Sequence, residues 1–157
     1  MRIRPYRPDD AAAVSALYFE SVHGLGAVRY TPEQVRVWAP RVPDPGETDT
    51  RARDGRLTLV AEDEQGRVAG FGDINEAGHI DRLYRRPGAE RAGVGAALLA
   101  ALMDHPIARA APRLTVEASE MARGLFERRG FKVMARRDFE RDGVMIHNYA
   151  MAMQRGG

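Results

Sequence analysis

Glu90-Arg91-Ala92-Gly93-Val94-Gly95-Ala96-Ala97-Leu98-Leu99 is a glycine-bearing turn that follows an expected strand and runs straight into an apolar helix. Glycines at alternate positions remove the side chains that keep a ligand's phosphates off the backbone. A helix N-terminus adds N–H groups without intrahelical acceptors and a favourable dipole. The stretch therefore has the character of a pyrophosphate cradle. A dinucleotide fingerprint does not fit, because Leu98 stands where Gly-x-Gly-x-x-Gly requires its last glycine, and no Gly-Lys-Ser/Thr of a P-loop occurs. Taken alone, Gly93 and Gly95 also suit a tight strand-to-helix turn with no ligand.

The elements around the turn follow from periodicity and punctuation. On its N-terminal side, Leu57–Glu62, Val68–Ile74 and His79–Arg85 are expected as three consecutive antiparallel strands, separated by turns at Asp63-Glu64-Gln65-Gly66 and Asn75-Glu76-Ala77-Gly78. On its C-terminal side come a helix to Asp104, a strand at Leu114–Ala118, a helix from Met121 to Arg129 closed by Gly130, and strands at Phe131–Glu140 and Val144–Met153. The N-terminal third opens with a short strand near Ile3–Pro5. A helix capped by Pro8-Asp9-Asp10 follows, with Val14, Leu17 and Tyr18 on one face. Thr31-Pro32-Glu33-Gln34 is a capping box with proline at the first helical position, so a second helix starts there and stops before Pro40, with Val35 and Trp38 inward. Residues 41–56, rich in Pro, Gly, Asp and Arg, are expected as a mobile loop.

Composition narrows the chemistry. A chain of 157 residues, 44% hydrophobic and 29% charged, is expected as one soluble domain. No apolar run approaches the ~18 residues of a membrane span, and Met1-Arg2-Ile3-Arg4-Pro5 lacks a signal-peptide core, so a cytoplasmic location and no membrane partner are expected. The absence of cysteine removes disulfides, thiolate metal sites and a cysteine-linked intermediate. Net charge is only +2, and the 24 basic residues, of which Lys132 is the single lysine, are dispersed without aromatic interleaving. A nucleic-acid surface is not expected.

The chain resembles the GNAT superfamily of acetyl-CoA-dependent N-acetyltransferases over nearly its full length. The opening turn is similar to that family's Gln/Arg-x-x-Gly-x-Gly/Ala signature, with Glu90 as a departure in the first position. Ala122-Arg123-Gly124-Leu125-Phe126-Glu127-Arg128-Arg129-Gly130-Phe131 is similar to its second motif. The resemblance implies a mixed α/β (α+β) fold, a mostly antiparallel sheet of about seven strands flanked by four helices in the order β-α-α-β-β-β-α-β-α-β-β. It implies a sheet splayed between strands 79–85 and 114–118, with acetyl-CoA in the gap as acyl donor. The pantetheine would pair along Leu83, Tyr84 and Arg85, with one backbone N–H there pointing at the thioester carbonyl. Amides of Arg91, Ala92, Gly93, Val94, Gly95 and Ala96 would hold the pyrophosphate, with Phe126 near the pantetheine. Ser119 occupies a cofactor-contacting place or caps the following helix. No metal is implied.

Acyl transfer to an amine needs a base and a route for the leaving thiolate. The resemblance places His79 near the position of a base in some relatives. Asp81, two residues on and on the same face of the strand, would orient it, and Glu117 on the facing strand is a third candidate. Each has a structural alternative: a hairpin end for His79, an arginine partner for Asp81, and a similar purely structural role for Glu117. Phe126 stands where many relatives carry a proton-donating tyrosine, which leaves Tyr149 or Tyr84 as candidates, or thiolate departure without an acid. The implied partner is a small-molecule or peptide amine, with a homodimer as the family's frequent assembly. A GNAT-fold acyl-CoA sensor without turnover is the competing reading.

Overall fold

The computed structural model describes residues 1–89 and 92–155. Its centre is a seven-stranded sheet in the order β1-β2-β3-β4-β5-β7-β6, built from β1 (Arg2–Pro5), β2 (Leu57–Glu62), β3 (Val68–Ile74), β4 (His79–Arg85), β5 (Arg113–Ala118), β6 (Lys132–Arg141) and β7 (Val144–Gln154). Every neighbouring pair is antiparallel except β4 and β5. The expected order of elements holds, and six α-helices are found among the described residues: α1 (Ala11–Leu25), α2 (Pro32–Trp38), α3 (Pro45–Ala52), α4 (Val94–Asp104), α5 (Pro106–Arg109) and α6 (Arg123–Arg128).

The two additions to the expected four helices are α3 and the single turn α5. The stretch 41–56 is thus not a loop throughout. Pro45 fills the first helical position of α3, where a missing N–H costs nothing, and Thr48 and Ala52, four apart, are its buried face. Ser15 and Thr48 share a hydrogen bond of 2.6 Å that fixes α3 on α1. Loop-like composition concealed a helix held by tertiary contact. Asp10 also differs from expectation, since it makes no side-chain cap of α1. Its carboxylate instead accepts two 2.8 Å bonds from the buried Arg4 guanidinium and one from the Arg7 amide.

The stretch Pro8–Val28 is long and apolar enough, by length and composition, to cross a membrane, contrary to the expectation that no run would be. Here its inward residues Val14, Leu17 and Val22 are buried against the sheet and the neighbouring helices. At α2 the capping box forms as read: Gln34 N donates to Thr31 Oγ1 and Thr31 N to Gln34 Oε1. Gln34 Nε2 then donates to Met145 O, tying α2 to β7.

Helices cover both faces of the sheet's centre, which is why β2 and β3 are buried almost throughout rather than alternating. On one face α4 contributes Leu98, Leu99 and Leu102, all fully buried, against Ile74, Ile80 and Leu114. Gly70 lets the helix lie that close, because a Cβ there would stand 2.6 Å from Val94 Cγ1 and 2.9 Å from the Tyr84 carbonyl oxygen. Gly70→Ala is expected to cost about 1–3 kcal/mol by overpacking. A melting temperature within 1 °C of wild type in a thermal scan would contradict this close approach.

The strand β4 carries an irregularity opposite Asp73: Gly72 faces Leu83 and Ile74 faces Ile80, so Asp81 and Arg82 together oppose one residue. This bulge reverses the phase of the strand. Ile80 and Leu83, three apart, both pack into the α4-side core, while Tyr84 packs on the α1 side with Phe71 and Val14.

Candidate active site

Strands β4 and β5 are paired only at His79↔Thr115 and Ile80↔Val116. Beyond these two rungs they diverge, and the wedge they leave is bounded by β4, the N-terminus of α4, α1 and the segment entering α6. Two cavities fill it. The larger, ≈ 300 Å³, is walled by Leu83, Arg85, Gly93, Gly95, Ala96 and Leu125 among others. The second, ≈ 160 Å³, lies toward β7 and includes His79, Asp81, Glu117, Phe126 and His147 in its wall. Trp38, Leu83, Tyr84, Ser119 and Ala122 border both, so the two cavities meet at the backbone of β4.

The glycine turn has the local geometry of an anion cradle. Gly93 precedes α4 in the left-handed conformation (φ 68°), which a side chain disfavours, and no atom crowds its missing Cβ. Gly95 faces Leu125, 3.3 Å from where its Cβ would lie. The first intrahelical bond after the cap runs from Ala97 N to Gly93 O. Helix geometry gives the N–H groups of Val94, Gly95 and Ala96 no acceptor within α4. Val94 is itself a core residue whose side chain packs over Gly70, and Ala92 borders a separate shallow cavity with Asp63 and Arg86. Glu90 and Arg91 lie outside the described residues.

The candidates for proton transfer are in distinct environments. His79 borders the smaller cavity, and its Nδ1 lies 2.7 Å from Thr115 Oγ1, so the rung that joins the two strands also orients the imidazole. Asp81 borders the same cavity, as the strand period implies, yet its partners are arginines and not His79. Arg51 Nη2 and Arg56 Nη1 both donate to Oδ2. Burial alone would raise its pKa, but those two guanidinium groups outweigh burial and hold it below the usual aspartate value. Glu117 is about half exposed and lies 2.8 Å from Arg137 Nη1.

The two candidate tyrosines are placed differently. Tyr149 donates its hydroxyl to Glu120 Oε1, lies under the Arg123 guanidinium at 4.5 Å, and borders neither cavity. The bond to Glu120 raises its pKa, with burial second. Tyr84 is enclosed by Tyr18, Trp38 and Phe71, and burial pushes its phenol well above the usual tyrosine range. Ser119 borders both cavities while its Oγ accepts from Ala122 N at 3.3 Å, so it serves the turn into α6 and faces the wedge at once. Phe126 is buried edge-on against Phe131 and contributes to the wall of the smaller cavity.

Glu120 was not singled out by sequence. It accepts from Tyr149 and from His147 Nε2 (2.8 Å), while its amide donates to Tyr30 Oη at 2.9 Å and that hydroxyl donates to the His147 carbonyl. The cluster ties β7 to the end of β5 and to the segment before α2. Its hydrogen-bonded partners lie 27 to 117 positions apart, so no local spacing signals it.

Comparison with known proteins bears on the same elements. The family model for the acetyltransferase (GNAT) domain matches residues 27–153. The uncharacterized N-acetyltransferase YafP of Escherichia coli (strain K12) is 29% identical over 152 residues, 96% of this chain and 94% of that protein. A crystal structure from Rhodopseudomonas palustris, described as a GCN5-related N-acetyltransferase and aminotransferase, class-II, superposes with a TM-score of 0.87 at 35% identity over 98% of this chain and 94% of that one. The structure of yncA from Salmonella typhimurium with its cofactor acetyl-CoA has the same fold, with a TM-score of 0.77 at 22% identity over 100% and 95% of the two chains.

Proposed function

Because the chain belongs to the GNAT acetyltransferase family and is an acyltransferase, we propose that it moves the acetyl group of acetyl-CoA to an amine by direct attack within a ternary complex. The observation that carries this reading is the two-rung contact between β4 and β5, with a continuous wedge beyond it. It leaves Leu83 and Tyr84 beyond the last rung to β5. An extended pantetheine would supply that edge, with its pyrophosphate on the amides of Gly93 to Ala96. The open left-handed Gly93 and the Gly95 approach to Leu125 fit such a ligand, since a side chain at either position would meet strain or Leu125. The yncA structure, of the same fold, holds acetyl-CoA.

The donor supplies an activated thioester carbonyl. A backbone N–H of Leu83–Arg85 polarises that carbonyl, and the amine enters from the smaller cavity. His79, fixed through Nδ1 by Thr115, offers Nε2 to take the amine's proton as the C–N bond forms. The C–S bond breaks and coenzyme A leaves as a thiolate that takes a proton from solvent. Asp81 acts through charge rather than as a base, since two arginines already occupy it.

Addition of acetyl-CoA is expected to raise the melting temperature, and a panel of amines is expected to release free thiol from it. A protein that melts unchanged with acetyl-CoA and releases no thiol with any amine would overturn the proposal. Thermal stabilisation without thiol release would favour a sensor.

A further inference from the structure

A third cavity, ≈ 270 Å³, is lined by residues of α1, α3 and β4 and by Trp38, which also borders the two cavities of the wedge. Its walls are partly apolar, from Val14, Trp38, Ala39 and Pro40, and it is floored by Arg82 with Arg51 at its side. Arg82 is nine-tenths buried, and its Nη2 is a buried nitrogen with no hydrogen-bond partner among the described residues. The guanidinium is held from the other side, by the 2.8 Å bond from Nε to Asp73 Oδ2 and by the Phe71 ring 5.2 Å below Cζ. Asp73 Oδ2 also accepts from Arg56 Nη1 at 3.2 Å, so one carboxylate is shared between two guanidinium groups. Nη2 is sealed from solvent, so the part of the guanidinium that reaches the cavity is Nη1, for which no hydrogen-bond acceptor is found among the described residues. A largely buried cation whose one carboxylate is shared is costly unless something pairs with it.

This cavity borders the acceptor space directly. Trp38 is common to both, and the Asp81–Arg51 ion pair joins them, with Asp81 in the wall of one and Arg51 in the wall of the other. We propose that Arg82 receives a carboxylate of the acceptor, so that the substrate is an amine that also bears a carboxylic acid, as an amino acid does. The proposal rests on the acyl-transfer reading and names its acceptor class. A carboxylate oxygen matches the Nη1 N–H in charge and in hydrogen-bonding role, and its single charge matches a site where Arg51 is already paired. The apolar wall then accommodates the carbon skeleton.

The test pairs each of the twenty protein amino acids, 4-aminobutyrate and 6-aminohexanoate with its own carboxamide, in the thiol-release assay with acetyl-CoA. The best acceptors are expected to carry the free carboxylate and to lose at least thirtyfold in kcat/KM on amidation. This runs against intrinsic reactivity for the α-amino acids, whose amides have the less basic and more often neutral nitrogen. In Arg82→Gln the acid-to-amide ratio is expected to collapse to within threefold.

A second measurement needs no variant. Trp38 is the single tryptophan and borders the cavity. With coenzyme A present, its fluorescence is expected to saturate with the N-acetyl derivative of the best acid, at least tenfold more tightly than with the matching amide. Equal or better turnover of amides, or thiol release only with amines that lack a carboxylate, overturns the acceptor class and leaves acyl transfer standing. No thiol release with any amine removes the acyl-transfer reading. The acceptor class, which rests on that reading, falls with it.

Discussion

Asp73→Ala is expected to lower stability by about 3–5 kcal/mol, the cost of leaving a buried charge without its partner. At about 2–4 °C per kcal/mol for a chain of this size, the melting temperature would fall by roughly 6–20 °C in a calorimetric scan. Asp73 is fully buried on β3 and accepts from the Arg82 amide at 3.0 Å, from Arg82 Nε at 2.8 Å and from Arg56 Nη1 at 3.2 Å. It is the group that the bulge in β4 is built around, since Arg82 can present both amide and guanidinium to one carboxylate only where two residues oppose one. Alanine removes the acceptor and leaves Arg82 buried with no acceptor among the described residues. Asp73→Asn keeps the shape and one acceptor oxygen, so a smaller fall is expected. A fall below 2 °C for the alanine variant would mean that Arg82 finds a different partner and that the bulge does not depend on Asp73.

His79→Ala is expected to reduce kcat by about 10²–10³, within the range for loss of a general base. The affinity for acetyl-CoA should be unchanged, because His79 borders the smaller cavity and not the one walled by the α4 N-terminus. The pH–rate profile should lose the limb set by a titrating base. Two neighbours serve as controls. Glu117→Gln is expected to remain within threefold, since that carboxylate is half exposed and paired with Arg137. Thr115→Val should lie between them, because it frees the ring without removing it. Wild-type turnover in His79→Ala, or an unchanged pH profile, would move the base elsewhere, and His147 beside Glu120 would be the first group to examine.

Where local rules act alone, the sequence was a good guide to the fold. The Thr31–Gln34 box, the turns at Gly66 and Gly78 and the Gly130 stop each set an element boundary within a residue or two, because caps and positive-φ turns depend on near neighbours. The misses have a common physical cause. Helix α3 forms because Thr48 meets Ser15 and Ala52 is buried, contacts that loop composition does not announce. The β4 bulge shifts Leu83 relative to Asp81, and strict alternation has no means of seeing an inserted residue. At the site, the same-face placement of His79 and Asp81 was legible from the strand period. Their partners were not: Thr115 comes from β5, and Arg51 and Arg56 come from the stretch 41–56, whose composition is that of a loop. Glu120 and Arg82 were invisible for the same reason, since what singles them out is their surroundings.

The two-rung contact between β4 and β5 has a consequence for how the molecule comes apart. Main-chain bonding within the sheet is dense up to β4 and again from β5 through β7 to β6, and thin between. Cooperativity between the two blocks must therefore pass through side-chain packing, chiefly the shared core of Ile80, Leu98, Leu102 and Leu114. Sub-global opening is expected to follow this seam, so that amides of β5 to β7 exchange with solvent while β1 to β4 stay closed. A molecule lodged in the wedge spans both blocks, so its binding energy also becomes energy that holds them to one unfolding transition.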